Sequence, residues 1–436
     1  MQQQDAGMRG KILVVYYHYR GYPLRATTKD WLYSFERYSG CLCYYANLAF
    51  GFPTYLKDIE FDLIVFTDMF LSKRNLLRFF DKAVEYCQPL KGVSAKKIAV
   101  PQDEFYYTDV LNHFINAFGV EHIFSVAPES EWGKIYPLVD RDKVKIDFVL
   151  TGYLDDEIVK FYDGLSRENI SRDIDIGYRS TPLRYSLGRF GYLKGRIAEV
   201  FNEHAPQFDL KTDISTQPKD TKLGLDWYRF LASCKYFIGV ESGASLLDPD
   251  GSIYHNVNAY LEQNPDADFD EVEQNCFKGL DENLHLYALG PRHLEACAAR
   301  TCQILVEGHY GGLLKPGTHY IPLKKDFSNI DEVLRIVKDD KLRSGIVESA
   351  YQDVVASRKW TYREFVKFIL DKSFSQGTLF SEITANEHRL YDKNKRREAW
   401  IWRYIPIQSR FITLVEMVFP KNIMRKIIKF VELSRK

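Results

Sequence analysis

Residues 290–331 read GPRHLEACAARTCQILVEGHYGGLLKPGTHYIPLKKDFSNID. The pattern predicts a helix over Arg292–Ala299, followed by a buried strand over Cys302–Glu307. The strand ends in a glycine-rich turn, Glu307–Gly312, and such a turn lets the backbone approach a ligand closely. A helix, a strand and a glycine turn in this order are typical of an α/β domain with a ligand site at the strand end.

The same alternation extends back from this stretch to about residue 173. Short apolar runs predict strands at Asp173–Tyr178, Phe208–Thr212 and Lys235–Val240. Helical patterns lie between them at Leu187–Asn202 and Leu225–Ser233. An acidic polar insertion at about 264–273 interrupts the pattern. The sequence therefore predicts a Rossmann-like domain over residues 173–345.

A first Rossmann-like domain is predicted over residues 1–172. Its predicted strands are Lys11–Tyr17, Asp62–Thr67, Lys97–Val100, His122–Val126 and Lys145–Leu150. Its predicted helices are Asp30–Tyr38, Ser72–Cys87 and Asp109–Phe118. Strands that alternate with helices form a parallel sheet covered on both faces. Two such domains would face each other across a cleft, and ligands bind outside the carboxyl ends of their strands.

The pattern becomes helical from about residue 346, which predicts a helical extension over residues 346–436. Thr361-Tyr-Arg-Glu364 has the pattern of a capping box that opens a helix towards Asp371. The last segment, Pro420–Lys436, is basic and places its apolar side chains near one face. Such a helix can lie in a membrane interface, or it can pack back on the first domain, and the sequence leaves both open.

Composition excludes several classes of partner. The 436 residues are 45% hydrophobic and 27% charged, which is typical of a globular protein. Because 59 basic and 59 acidic residues give a net charge of zero, we expect no nucleic-acid partner. Seven scattered cysteines without a CxxC pair or a histidine cluster predict a reducing compartment and no metal site. The polar start and the lack of a long apolar run predict a cytoplasmic location. Contact with the inner face of the membrane, if it occurs, is predicted for the C-terminal segment.

Residues 290–331 resemble the C-terminal region of GT-B glycosyltransferases, in particular the group 1 and spore-maturation CgeB-like proteins. In those families an R-x-(F/L)-E-A helix grips the nucleotide sugar, and a later stretch beginning with His-Tyr closes the domain. The matching positions are Arg292, Leu294, Glu295, Ala296, His319, Tyr320, Asp326 and Asn329. The resemblance implies contact of Arg292 and Glu295 with the nucleotide sugar. It also implies donor contact at Glu307, Gly308, His309, Gly311 and Gly312.

One departure from the family limits what the resemblance implies. Many group 1 enzymes carry a second glutamate seven residues before the helix glutamate, where Tyr287 and Ala288 stand in this sequence. The two-glutamate donor site is therefore incomplete, and the retaining mechanism associated with it is not implied. The alternative reading of Glu295 and the glycines is a simple helix cap and turn.

Basic residues follow the first predicted strand of the second domain. In GT-B enzymes a basic residue at this strand end and a lysine one helix later often hold the donor phosphate. The candidates are Arg179, Arg184, Arg189 and Lys194, because arginine offers a planar fork to phosphate oxygens and lysine a point charge. Arg179 is favoured because it lies directly at the strand end, and an ordinary surface charge is the alternative for each.

Glu241 and Ser242 follow the strand predicted at Lys235–Val240 and are candidates to face the sugar or the base. The surrounding GVESGAS lacks the G-x-S-x-G pattern of a nucleophile elbow, which argues against a hydrolase.

Acceptor-side candidates follow strands of the first domain. They are His18, after the first predicted strand, and Asp103 and Glu104, after the strand at Lys97–Val100. An acceptor hydroxyl needs a base or a proton path, which a histidine or a carboxylate can provide. Each of these residues can equally be structural.

The resemblance implies a glycosyltransferase that moves a sugar from a nucleotide-sugar donor to a bacterial surface glycan, such as capsule or lipopolysaccharide, free or lipid-linked. We expect no cofactor and no metal, since GT-B sites stabilise the leaving phosphate with basic groups and helix N-termini. A nucleotide-sugar 2-epimerase and a non-catalytic glycan-binding protein on the same fold are the alternatives.

Overall fold

The computed structural model describes residues 10–19, 24–167, 171–181, 185–375, 380 and 382–418. Two predictions lie outside the described residues: the donor contact at Arg184 and the amphipathic segment Pro420–Lys436. Among the described residues, no helix is both long and apolar enough to span a bilayer.

The first domain is a parallel sheet with helices on both faces. Its strands are β1 (Lys11–Tyr16), β2 (Leu42–Asn47), β3 (Leu63–Thr67), β4 (Lys96–Val100), β5 (His122–Ser125) and β6 (Lys145–Phe148). Its helices are α1 (Ala26–Leu32), α2 (Ser34–Tyr38), α3 (Asp68–Leu71), α4 (Leu77–Cys87), α5 (Thr108–Phe118) and α6 (Trp132–Ile135). The strand order is β2-β1-β3-β4-β5-β6, so the direction of winding reverses between β1 and β3. This reversal is the topological switch point at which such sheets bind ligands.

The second domain repeats this plan with five parallel strands and an antiparallel pair. Its strands are β7 (Ile174–Arg179), β8 (Thr212–Ser215), β9 (Cys234–Gly239), β10 (Ser242–Ala244), β11 (Leu286–Ala288), β12 (Cys302–Val306) and β13 (Ile321–Leu323). Its helices are α7 (Asp156–Arg167), α8 (Gly188–His204), α9 (Leu225–Ser233), α10 (Ser252–Gln263), α11 (Phe269–Cys276), α12 (Pro291–Ala298), α13 (Ile330–Ile336) and α14 (Asp340–Ala350). The main sheet has the order β13-β12-β9-β7-β8, which places its switch point between β7 and β9.

The C-terminal extension returns to the first domain as α15 (Tyr362–Ser373) and α16 (Ala385–Val418). The predicted helix start at Thr361 is confirmed: the Thr361 side chain accepts a hydrogen bond from the N–H of Glu364, which is the first of the two bonds of a capping box. On α16, the Asn394 amide accepts from the N–H of Tyr45 at 2.8 Å and donates to its C=O at 2.9 Å. Asn394 thereby satisfies the open edge of β2, which would otherwise expose unpaired backbone groups.

The two domains are joined by hydrophobic packing and backbone hydrogen bonds as well as by the linker between them. Ala244 and Leu286 of the antiparallel pair β10–β11 belong to the hydrophobic core of the first domain. Backbone bonds of 2.7 Å join the N–H of Tyr107 to the C=O of Asp248, and the N–H of Asp248 to the C=O of Phe105. The predicted class, two Rossmann-like domains with a helical extension, is confirmed, while the boundaries at residues 172 and 345 stay predictions.

Candidate active site

A cavity lies between the two domains, at the carboxyl end of β7 and beside the switch point of the second sheet. Its walls are the first turns of α9 and α12, the segment 217–224 and residues 25–27 of the first domain. The empty space is about 850 Å³ with its open mouth included.

Glu295, which the sequence predicts to contact the nucleotide, lines this cavity from α12. Its side chain is buried, and Trp227 Nε1 donates a hydrogen bond to its Oε2 at 2.8 Å. Burial raises the pKa of Glu295 to about 7, against the opposing effects of Trp227 and Arg292. A carboxylate at the wall of a cavity accepts hydrogen bonds from hydroxyl groups such as those of a ribose.

The amino end of α12 also faces the cavity. Gly290, Pro291 and Arg292 form this end and line the wall, and Arg292 Nη1 donates to the C=O of Arg179 at 2.8 Å. A Cβ on Gly290 would lie 2.8 Å from the hydroxyl oxygen of Ser242, so a larger residue would displace that hydroxyl. The helix dipole and the orphan N–H groups favour an anion here. Ser242, predicted to face the ligand, also lines the cavity.

Arg179 lines the cavity, but its guanidinium is committed to its own domain. It makes four hydrogen bonds: to the C=O groups of Tyr178, Asp213 and Asp220, and to Asp213 Oδ1. An arginine has only five N–H donors. The prediction of a free phosphate clamp at Arg179 is therefore corrected in part: this side chain fastens the segments that carry Asp213 and Asp220 to β7, while its contact with the donor phosphate stays a prediction.

Glu241 is a second correction. Its carboxylate is buried and accepts a hydrogen bond from the N–H of Tyr310. Burial raises the pKa of Glu241, and backbone N–H groups of the turn oppose that rise. A Cβ on Gly308 would overlap the carboxylate. The Glu241 carboxylate thus packs against the glycine turn and holds it through the N–H of Tyr310, and it does not face a donor.

The glycine turn itself has the backbone that its sequence predicts. Gly311 and Gly312 have φ angles of 64° and 70°, which glycine adopts at no steric cost. Glu307, Gly308 and His309 are exposed. The turn is not among the residues that line the cavity described above, so its donor contact stays a prediction.

Lys194 lies on α8, where its C=O accepts a hydrogen bond from the Tyr178 hydroxyl at 2.9 Å. It does not line the cavity, and its phosphate contact stays a prediction. Lys222 and Trp227 are among the residues of the cavity wall that were missed by the sequence reasoning. The only signal for Trp227 was its place in the first turn of the predicted helix Leu225–Ser233.

Glu104 is the third correction, because it does not face the cleft. It is fully buried and accepts hydrogen bonds from the Ser125 hydroxyl, the N–H of Val126 and the Tyr136 hydroxyl. Burial raises the pKa of Glu104, and these donors lower it. A carboxylate enclosed in this way holds β4 and β5 together and cannot reach an acceptor.

His18 and Asp103 do lie at the carboxyl edge of the first sheet. The His18 ring stacks on Trp402 of α16, with centroids 5.3 Å apart. Burial, and then Lys73, lowers the pKa of His18 to about 4, so the imidazole is neutral near pH 7. Asp103 is exposed, has a φ of 46°, and its C=O accepts from Arg74 Nη2 at 2.6 Å. Their part in proton transfer stays a prediction.

Asp68 is a carboxylate at this edge that the sequence patterns did not single out. It follows β3 directly, at the switch point of the first sheet, and its Oδ1 accepts from the N–H of Gln102 at 3.0 Å. Burial, and then the neighbouring Asp103, raise the pKa of Asp68 to about 7, while Arg74 lowers it. A half-buried carboxylate that titrates near neutral pH suits general base chemistry.

A short chain of hydrogen bonds crosses the cleft from this edge to the cavity. Gln102 Nε2 donates to the C=O of Thr151 at 2.9 Å, and Thr151 Oγ1 donates to the C=O of Leu289 at 2.7 Å. Leu289 immediately precedes the amino end of α12. The switch points of both sheets therefore open onto the same cleft.

Known protein families give no match to the sequence, and no curated protein matches it either. Among solved structures, HepE (Alr3699) of Anabaena with UDP-glucose is similar at 11% identity, over 83% of this chain and 100% of that chain, with a TM-score of 0.46. Sucrose-phosphate synthase from Thermosynechococcus elongatus is similar at 10% identity, over 83% and 97%, with a TM-score of 0.45. AviGT4, a glycosyltransferase of avilamycin A biosynthesis, is similar at 9% identity, over 84% and 97%, with a TM-score of 0.41. With two doubly wound domains whose switch points meet at one cleft, the chain has the fold of GT-B glycosyltransferases.

Proposed function

We propose that this protein transfers a sugar from a nucleotide-sugar donor to a bacterial surface glycan, such as capsule or lipopolysaccharide. One observation supports the proposal most directly. The cavity between the domains brings the buried carboxylate of Glu295 together with the amino end of α12 at Gly290–Arg292, and hydrogen bonds through Gln102 and Thr151 connect this end to Asp68 at the edge of the first sheet.

On the donor side, Glu295 receives the ribose hydroxyls and Trp227 fixes its orientation through the 2.8 Å hydrogen bond. The diphosphate lies at the amino end of α12, where Arg292 adds a full positive charge. Negative charge grows on the diphosphate as the bond to the sugar breaks, and preorganised positive groups stabilise that charge in the transition state. No metal ion and no cofactor enters this scheme.

On the acceptor side, the hydroxyl oxygen of the acceptor forms a bond to the anomeric carbon. The bond from that carbon to the diphosphate oxygen breaks, and its electron pair leaves with the nucleoside diphosphate. The hydroxyl proton passes to the carboxylate of Asp68. Asp68 replaces Glu104 in this role, because Glu104 is enclosed in the core.

The test begins with nucleotide binding by thermal shift, using the nucleoside diphosphates of uridine, guanosine, adenosine and thymidine. A ligand at a hundred times its dissociation constant adds about 2.7 kcal/mol to the free energy of unfolding, so one nucleotide is expected to stand out. The matching nucleotide sugars are then incubated with lipid-linked and free surface glycans, and mass spectrometry follows the acceptor.

Gain of one sugar by a glycan, with release of the nucleoside diphosphate, is the expected result. Release of nucleotide and a 2-epimerised sugar without any acceptor would instead identify an epimerase. A chain that binds glycans but turns over no donor would be a binding protein, and the proposal would be wrong.

A further inference from the structure

An aromatic surface, formed by Tyr19, Phe50, Trp400 and Tyr404, lies beside the carboxyl edge of the first sheet. Trp400 and Tyr404 are one turn apart on α16, and their rings stack with centroids 5.0 Å apart and an interplanar angle of 12°. Phe50 meets both edge-on, at 6.4 and 6.1 Å, and Tyr19 lies 6.5 Å from Phe50. Trp400 is 56% exposed, so this surface is open to a ligand.

The aromatic surface is fixed to the sheet edge by polar contacts. The Asn47 side chain accepts from the N–H of His18 at 3.0 Å and donates to its C=O at 2.9 Å, which ties the ends of β1 and β2 together. Arg397 of α16 donates to the C=O of Phe50 at 3.2 Å. These bonds hold Phe50 and the α16 rings in place before any ligand arrives, which lowers the entropy cost of binding.

The aromatic surface lies at the same edge of the first sheet as the proposed acceptor site. Phe50 follows β2 and Asp68 follows β3, with β1 between these strands. Neighbouring strands are 4.7–4.9 Å apart, so the strands that lead to Phe50 and Asp68 are separated by about 10 Å. His18 lies on the edge between them. A single sugar ring does not span such a distance, but a chain of sugars does.

We propose that the aromatic surface binds the non-reacting part of an oligosaccharide acceptor whose reacting hydroxyl lies at Asp68. The inference rests on the proposed glycosyl transfer and deepens it, because it specifies an acceptor of more than one sugar. Pyranose rings carry an apolar C–H face that packs on aromatic rings, while their hydroxyls stay in water. The rings are fixed along the sheet edge that leads to Asp68. An oligosaccharide needs this alignment with Asp68, whereas a bilayer does not, so the arrangement favours an oligosaccharide as the ligand.

The experiment uses the full-length chain on an array of bacterial surface oligosaccharides that range from single sugars to long chains. We expect the wild type to bind chains and not single sugars. Trp400→Ala is expected to weaken that binding roughly tenfold, and Trp400→Phe to retain most of it. Phe148→Ala is the matched control, because Phe148 is also an exposed aromatic, 41% exposed, at the end of the opposite edge strand β6. It is expected to bind as the wild type does.

Three results would overturn the inference: no binding of chains by the wild type, equal binding by Trp400→Ala, or an equal loss in Phe148→Ala. Vesicles of phosphatidylethanolamine and phosphatidylglycerol form a second arm. If Trp400→Ala loses vesicle binding and keeps glycan binding, the aromatic surface belongs to the lipid. Nucleotide binding by the wild type is measured separately. Its absence contradicts the proposed function, whereas a Trp400-dependent glycan interaction would still locate a glycan site on the aromatic surface.

Discussion

Replacing Glu295 by glutamine tests the donor site most directly. Hydrogen bonds to a charged group contribute about 1.5–3 kcal/mol, against about 0.5–1.5 kcal/mol between neutral groups. If both ribose hydroxyls donate to the carboxylate, the substitution therefore costs about 2 kcal/mol, which corresponds to roughly a 30-fold weaker dissociation constant. The fold is expected to persist, because the glutamine oxygen still accepts from Trp227 Nε1.

The pH dependence sharpens this prediction. The pKa of Glu295 in the free protein is about 7, so the carboxylate is ionised at about pH 8.5 and protonated at about pH 5.5. Wild-type affinity for the nucleotide is therefore expected to fall as the pH falls through 7. Glutamine does not titrate, whereas the terminal phosphate of the nucleotide titrates alike with both proteins. The difference in affinity between the two proteins is therefore expected to shrink as the pH falls, and they should converge at low pH.

Isothermal titration calorimetry with the nucleoside diphosphate found by thermal shift measures both effects. The 2′-deoxy nucleotide is a ligand control, since it lacks one of the hydroxyls and the difference between the proteins is expected to shrink with it. Glu203→Gln, an exposed glutamate on α8, is the protein control. Equal dissociation constants for wild type and Glu295→Gln at about pH 8.5 would remove Glu295 from the site.

Four further predictions follow from named contacts. Asp68→Asn is expected to lower kcat/KM by about 10²–10⁴. The wild-type rate should fall below about pH 7, where the base is protonated. An unchanged pH profile in the variant would reject Asp68 as the base. Arg292→Ala is expected to lower kcat by about 10²–10³, with partial recovery in Arg292→Lys, and single-turnover rates check it. Arg179→Ala removes the arginine donor from three backbone carbonyls, so chemical denaturation should show a loss of about 3 kcal/mol. A variant as stable as the wild type would contradict the structural role. Deleting Pro420–Lys436 is expected to abolish sedimentation with anionic vesicles at low salt, because each basic residue near the membrane surface contributes about 1 kcal/mol to binding. If neither form binds vesicles and the truncated form has a lower melting temperature, the segment packs on the first domain instead.

Most strands were predictable because their signal is local. Central strands of a sheet covered on both faces are continuous apolar runs, as KILVVY in β1 illustrates. Among the described residues, β2, β10, β11 and β13 were not predicted, and β8 was misplaced. The outer edge of β2 (Leu42–Asn47) is completed by Asn394, about 350 residues away in the chain. β8 was predicted at Phe208–Thr212 and lies at Thr212–Ser215, because an edge strand with only half-buried residues gives no apolar run.

The candidate site was predictable at positions where a residue and its own helix are enough to place the side chain at the cleft. Glu295 and Arg292 lie on the first turns of α12, and the amino end of a helix that follows a strand tends to face the ligand cleft whatever the rest of the chain does. The second domain, the glycine turn and the helix start at Thr361 are local in the same sense.

Only the tertiary structure decided which strand-end carboxylates reach the cleft. Asp68, Glu104 and Glu241 each lie just beyond a strand, and the sequence does not distinguish them. Glu104 is enclosed by donors from Ser125, Val126 and Tyr136, and Glu241 by the turn around Tyr310, up to 69 residues away. Asp68 accepts from a backbone N–H and remains half-buried at the sheet edge. The direction of such a side chain depends on whether distant segments supply donors, because a buried carboxylate is stable only where its oxygens are hydrogen-bonded.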